Sequence, residues 1–149
     1  MDRNLLFPIE SITATRALED ADFEEGTPKW GSARFSSRTD LVIGVEGEVR
    51  SFAFDANAIN KLIIGRGDSS GNYHPEVDLI DYNAVSQGVS RNHAYIARKD
   101  GSLYLVDNNS GNGTYLNGQK LVAMQPRVLR DGDEIRLGHL VMLITFESA

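Results

Sequence analysis

The sequence predicts an all-β fold, and three observations carry that reading. Short runs of alternating or wholly apolar residues recur at close spacing from Leu41 to Phe146. Turn-forming residues separate almost every pair of runs. Asp100-Gly101 lies between two alternating runs, which is the strongest short hairpin signal in the chain. Many short strands at such spacing belong to a sandwich or a barrel.

In order, the expected strands begin with Leu41–Val45, which leads into the turn at Gly47, and Ser51–Asp55, where Phe52 and Phe54 alternate with smaller residues. Leu62–Ile64 is an apolar run that stops at Gly65, and Val77–Ile80 is the next. His93–Ala97 and Ser102–Val106 flank Asp100-Gly101. Thr114–Leu116, Val128–Leu129, Glu134–Leu137 and Leu140–Phe146 complete the series, with Asn117-Gly118 and Asp131-Gly132-Asp133 as further turns of the same kind. Residues 1–40 read differently. Glu19, Asp20, Asp22, Glu24 and Glu25 precede Gly26-Thr27-Pro28, so this segment is expected to be an N-terminal tail, with a short helix over Ile12–Leu18 capped by Ser11. Residues 41–149 are expected to form the domain.

A chain of 149 residues, 41% apolar, fits one domain with a tail. It lacks cysteine, which excludes disulfides, thiol catalysis and cysteine-based zinc sites. The net charge of −6 is shared between residues 1–40, with 5 basic and 8 acidic side chains, and residues 41–149, with 10 and 13. Neither part is the basic surface that nucleic acid or an anionic membrane attracts, so neither partner is expected. There is no apolar run of about 18 residues to cross a bilayer and no secretory pattern in Met1–Glu10, so the expected location is cytoplasmic.

The residues that carry chemistry sit where strands end. Gly65-Arg66, Ser90-Arg91-Asn92-His93, Ser110-Gly111-Asn112-Gly113-Thr114 and Asn117-Gly118 place two guanidinium groups, two serine hydroxyls and a turn asparagine on loops. Fixed charge, forked donors and an amide are what recognition of a phosphorylated side chain requires, with no catalytic base. In order and spacing, these four pieces and the late Asp131-Gly132-Asp133-Glu134-Ile135 resemble the forkhead-associated (FHA) domain over roughly Leu41 to Phe146. Any one piece is a weak signal; five in register are specific.

The resemblance implies an antiparallel β-sandwich of about eleven strands that binds phosphothreonine peptides. It implies that Arg66, Ser90 and Arg91 engage the phosphate and that Asn112 holds the peptide backbone, with Gly111 beside the phosphate and Asn117 near the groove. Gly111 departs from many relatives, which carry Ser or Thr there. Gly65, His93, Ser110 and Gly113 are expected to order the loops. His93 also fits a general base, but the family histidine is architectural. In the tail, a phosphorylated Thr27 would present Trp30 three positions later, a place the family reads, so regulation and self-association through the tail are expected. Thr13 and Thr15 are weaker sites, and Trp30 fits better as a residue packing the tail onto the sandwich.

Other motifs fail on context. Arg66-Gly67-Asp68 spells an integrin tripeptide, and Gly67–Gly71 echoes a protease nucleophile loop without its framework. Asp107, Asn109 and Gly111 begin like a calcium loop, but Gly118 stands where a bidentate Glu is needed. Gly111–Gly113 lacks the Lys-Ser/Thr of a phosphate-binding P-loop. Neither metal nor cofactor is expected, and no enzyme. The expected function is a phosphothreonine-binding interaction module downstream of a Ser/Thr kinase. The alternative is a regulatory or scaffold protein that binds an enzyme through its loop face without phosphate.

Overall fold

The computed structural model describes residues 32–148. The helix expected over residues 12–18, and Thr13, Thr15, Thr27 and Trp30, lie outside the described residues. Eleven strands follow in order: β1 (Thr39–Val45), β2 (Ser51–Asp55), β3 (Lys61–Gly65), β4 (Val77–Asp78), β5 (Ala94–Lys99), β6 (Ser102–Asp107), β7 (Thr114–Leu116), β8 (Gln119–Lys120), β9 (Arg127–Val128), β10 (Glu134–Leu137) and β11 (Leu140–Ser148). They form a six-stranded sheet, β2-β1-β11-β10-β7-β8, and a five-stranded sheet, β4-β3-β5-β6-β9. This is the β-sandwich the sequence predicts.

Alternation decides which face each strand buries. In β1, Thr39, Leu41, Ile43 and Val45 are buried while the residues between them are partly exposed. One core cluster draws Leu41, Ile43, Ile135, Leu137, Met142 and Ile144 from the first sheet and Leu62, Ile64, Ile96, Leu103 and Leu105 from the second. Each such side chain contributes about 1.5–3 kcal/mol on burial. The core therefore holds the sheets face to face and leaves the strand ends to carry loops.

Two hairpin turns follow their sequence signal. Asp100-Gly101 (φ 53° and 77°) and Asn117-Gly118 (φ 51° and 85°) both place two successive residues at positive φ, the geometry that matches strand twist. The second closes β7 onto β8, a polar two-residue edge strand that the sequence pattern does not reveal. The third expected turn differs: Asp131-Gly132-Asp133 links β9 in one sheet to β10 in the other, and Asp133 is buried.

Three further expectations are corrected. The β3–β4 pairing is parallel, Ile64 against Val77, so the five-stranded sheet is mixed. The strand expected over 77–80 ends at Asp78, because Asp78 Oδ1 accepts the Ile80 amide and turns the chain into a 3₁₀ helix, Ile80–Tyr82, followed by the short helix α1 (Ala84–Gln87). The fold also takes in residues ahead of Leu41: β1 opens at Thr39, Phe35 packs edge-on against Phe146 at 5.6 Å, and Arg34 bridges to Ser102.

Candidate functional site

Three loops meet at one end of the sandwich: 66–76 after β3, 79–93 before β5 and 108–113 between β6 and β7. Gly65 brings the first two together. A β-carbon at Gly65 would lie 1.9 Å from the Arg91 carbonyl oxygen, so only glycine lets β3 run this close to the 90–91 backbone. The Arg66 amide then donates to the Ser90 and Arg91 carbonyls (3.1 and 3.2 Å), and its Nε donates to the Val89 carbonyl at 3.0 Å. Half-buried Arg66 thus braces the loop that carries Ser90 and Arg91.

His93 joins that loop to the next. The ring is fully buried; Nδ1 accepts the Ser90 amide at 2.9 Å and Nε2 donates to the Gly113 carbonyl at 2.9 Å. This pattern requires the neutral imidazole with its proton on Nε2. Burial holds the His93 pKa below the ordinary histidine value, outweighing the Gly113 carbonyl and the Asp107 charge, which act in the opposite direction. Both ring nitrogens are committed, so neither is left to take a substrate proton.

Asp107, at the end of β6, organises the 108–113 loop. Its Oδ1 accepts the hydroxyls of Ser110 and Thr114, each at 2.6 Å, and its Oδ2 accepts the Ser110 amide at 3.3 Å. Ser110 Oγ in turn accepts the Gly113 amide at 3.0 Å. Sequence reasoning considered Asp107 only as a calcium ligand. The missed signal is the pair of hydroxyl residues three and seven positions later, which one buried carboxylate can hold.

Ser90, Arg91, Gly111 and Asn112 converge on the outer side of these loops. The Gly111 amide points at Ser90 Oγ at 3.4 Å, leaving the serine proton to be donated elsewhere. Gly111 is exposed, with open space where a side chain would stand. Asn112 Nδ2 donates to the Gly88 carbonyl at 3.0 Å, so its amide braces the 79–93 loop and leaves Oδ1 as an acceptor. The Arg91 side chain is 57% exposed, lies over the Tyr73 ring at 5.4 Å, and has Asp68 Oδ2 at 4.0 Å from its Nη2.

Asn117 is placed elsewhere. Its Nδ2 donates to Asp133 Oδ1 and its Oδ1 accepts the Glu134 amide, both at 2.9 Å, which engages both ends of the side chain in the turn at the far end of β7. Asp133 also accepts the Arg130 amide at 2.7 Å. Burial nonetheless raises the Asp133 pKa to about 6 against the pull of the Asn117 and Arg130 donors. Among the described residues no group of His, Cys, Asp or Glu could hold a metal ion, and no helix is long and apolar enough to cross a membrane.

The arrangement presents the Ser90 hydroxyl and the exposed Arg91 guanidinium on braced loops, which suits one oxyanion. Comparisons with known proteins lead the same way. The family model described as FHA domain matches residues 62–138, just over half of the chain. The oxoglutarate dehydrogenase inhibitor of Corynebacterium diphtheriae is 37% identical over 82 residues, 55% of this chain and 53% of the relative. The glycogen accumulation regulator GarA of Mycolicibacterium smegmatis is 31% identical over 102 residues, 65% of this chain and 61% of the relative. The chain thus spans less than two thirds of either relative's length. A structure solved for phosphothreonine-dependent FHA domain interactions superposes with a TM-score of 0.57 at 30% identity, covering 74% of this chain and 99% of its own. Its strands, its loops and the span of the family match place this chain in the FHA domain family.

Proposed function

We propose that this protein is a non-enzymatic, cytoplasmic module that binds phosphothreonine peptides in Ser/Thr kinase signalling. Ser90 donates its hydroxyl to a phosphate oxygen, Arg91 supplies contact charge, Gly111 offers its amide, and Arg66 holds the loop while its planar fork faces the same anion. Asn112 takes the peptide backbone through its free amide oxygen. The observation that carries this reading is the pair of hydrogen bonds His93 makes, accepting the Ser90 amide and donating to the Gly113 carbonyl, which preorganises both loops before a ligand arrives. The partner is a protein phosphorylated by a Ser/Thr kinase.

Calorimetry with a matched pair of peptides tests this. The phosphothreonine form should bind at least about tenfold more tightly than the unphosphorylated form, since a charge-assisted bond contributes about 1.5–3 kcal/mol. Ser90→Ala and Arg66→Ala should remove most of that difference. A second reading draws support from the two regulators among the relatives: the loop face binds an enzyme without phosphate. Equal affinity for both peptide forms, or binding to a partner that survives phosphatase treatment, would favour it.

A further inference from the structure

Asp68 stands beside the cation assigned to the phosphate, and nothing in the proposed function uses it. Its position is fixed. Its Oδ1 accepts the Ser70 amide at 2.9 Å, its own amide donates to the Tyr73 carbonyl at 2.8 Å, and its carbonyl accepts the Gly71 amide at 2.9 Å. The loop beneath is pinned as well, because Asp78 Oδ1 accepts the Gly67 amide at 2.8 Å and Asp78 Oδ2 meets His74 Nδ1 at 3.2 Å. The hydrogen bonds from Ser70 hold the Asp68 carboxyl below its ordinary pKa, with Arg91 and His74 adding smaller effects in the same direction. Asp68 is therefore a permanent anion whose Oδ2 lies 4.0 Å from Arg91 Nη2.

A phosphate brings between about 1.5 and 2 further negative charges to the same place. Arg91 then faces both the phosphate and Asp68, and the local balance turns negative. A ligand relieves this by carrying its own cation. The cation would meet Asp68 beside Arg91, whose Nη2 lies 4.0 Å from Asp68 Oδ2.

We infer that Asp68 is a specificity-determining residue that selects phosphothreonine peptides carrying lysine or arginine next to the phosphorylated residue. This rests on the phosphothreonine reading above. Two phosphothreonine peptides, with lysine or with alanine at the positions flanking the phosphothreonine, are titrated against the wild type and Asp68→Asn, alongside their unphosphorylated forms. Asparagine can still accept the Ser70 amide, so the loop is kept while the charge is lost. The wild type should prefer the lysine peptide by about threefold at low salt, the scale of an exposed ion pair, and the preference should shrink as salt rises. Asp68→Asn should bind the alanine peptide more tightly than the wild type does and show no preference. Equal wild-type affinity for the two phosphopeptides, or a preference that persists in Asp68→Asn, overturns the inference alone. If neither phosphopeptide binds better than its unphosphorylated form, the phosphothreonine reading falls and takes the inference with it.

Discussion

His93 Nε2 and the Gly113 carbonyl oxygen lie 2.9 Å apart in the buried space between two recognition loops that are twenty residues apart in sequence. On the other side of the same ring, Nδ1 holds the Ser90 amide. One imidazole thus sets the distance between the Ser90 loop and the Asn112 loop, and it does so only in its neutral form.

Replacing His93 by alanine should therefore lower stability as well as binding. The Ser90 N–H loses its partner while the Gly113 carbonyl keeps only the Gly138 amide, and a buried group left unsatisfied costs about 1–3 kcal/mol. Urea unfolding should show a clear drop in midpoint, and calorimetry a matching loss of phosphopeptide affinity. An unchanged midpoint with lost binding would assign His93 a direct role in ligand contact.

The pH dependence of stability should carry two opposing contributions. The folded-state pKa of Asp133 is about 6 against an ordinary value of 3.8, so between these values the folded protein keeps a proton that the unfolded chain has released. Stability from this group is therefore greatest at the low end of that window and falls as pH rises through it. The span corresponds to about 3 kcal/mol at about 1.36 kcal/mol per pH unit. His93 acts oppositely: its folded pKa is depressed, so the unfolded chain protonates first and stability falls as pH drops below about 6.5. Unfolding curves between pH 4 and 7 for wild type and Asp133→Asn should separate them, with the variant losing the Asp133 slope and keeping the His93 slope. Parallel curves would contradict the burial of an ionisable Asp133.

Gly111→Ser should fold as the parent does and bind a phosphothreonine peptide more tightly. A β-carbon at Gly111 meets nothing within 4 Å, and its φ is not in the left-handed range. The added hydroxyl stands beside Ser90 and can donate to the same phosphate, a bond to a charged group contributing about 1.5–3 kcal/mol, or roughly tenfold or more in affinity. Calorimetry checks this. Unchanged affinity would mean that the phosphate does not reach the Gly111 side of the cluster.

The sequence by itself determined most of the strands, because a side-chain period of two writes the buried face of β1 and of the first half of β11 directly into the order of residues. It determined two hairpins, because Asp-Gly and Asn-Gly tolerate positive φ locally. It also placed Arg66, Ser90, Arg91, Gly111 and Asn112 on connections between elements, where the structure holds them. What only the tertiary structure decided depends on partners distant in the chain. The parallel seating of β4 follows the Ile64–Val77 register, and β8 exists because the Asn117-Gly118 turn folds two polar residues back onto β7. Asp107 became a loop anchor and Asn117 a brace for Asp133, while Asp68 came to face Arg91. Hydrogen bonds and charges act through space over a few ångströms, and the spacing of residues along a chain does not state which of them will meet.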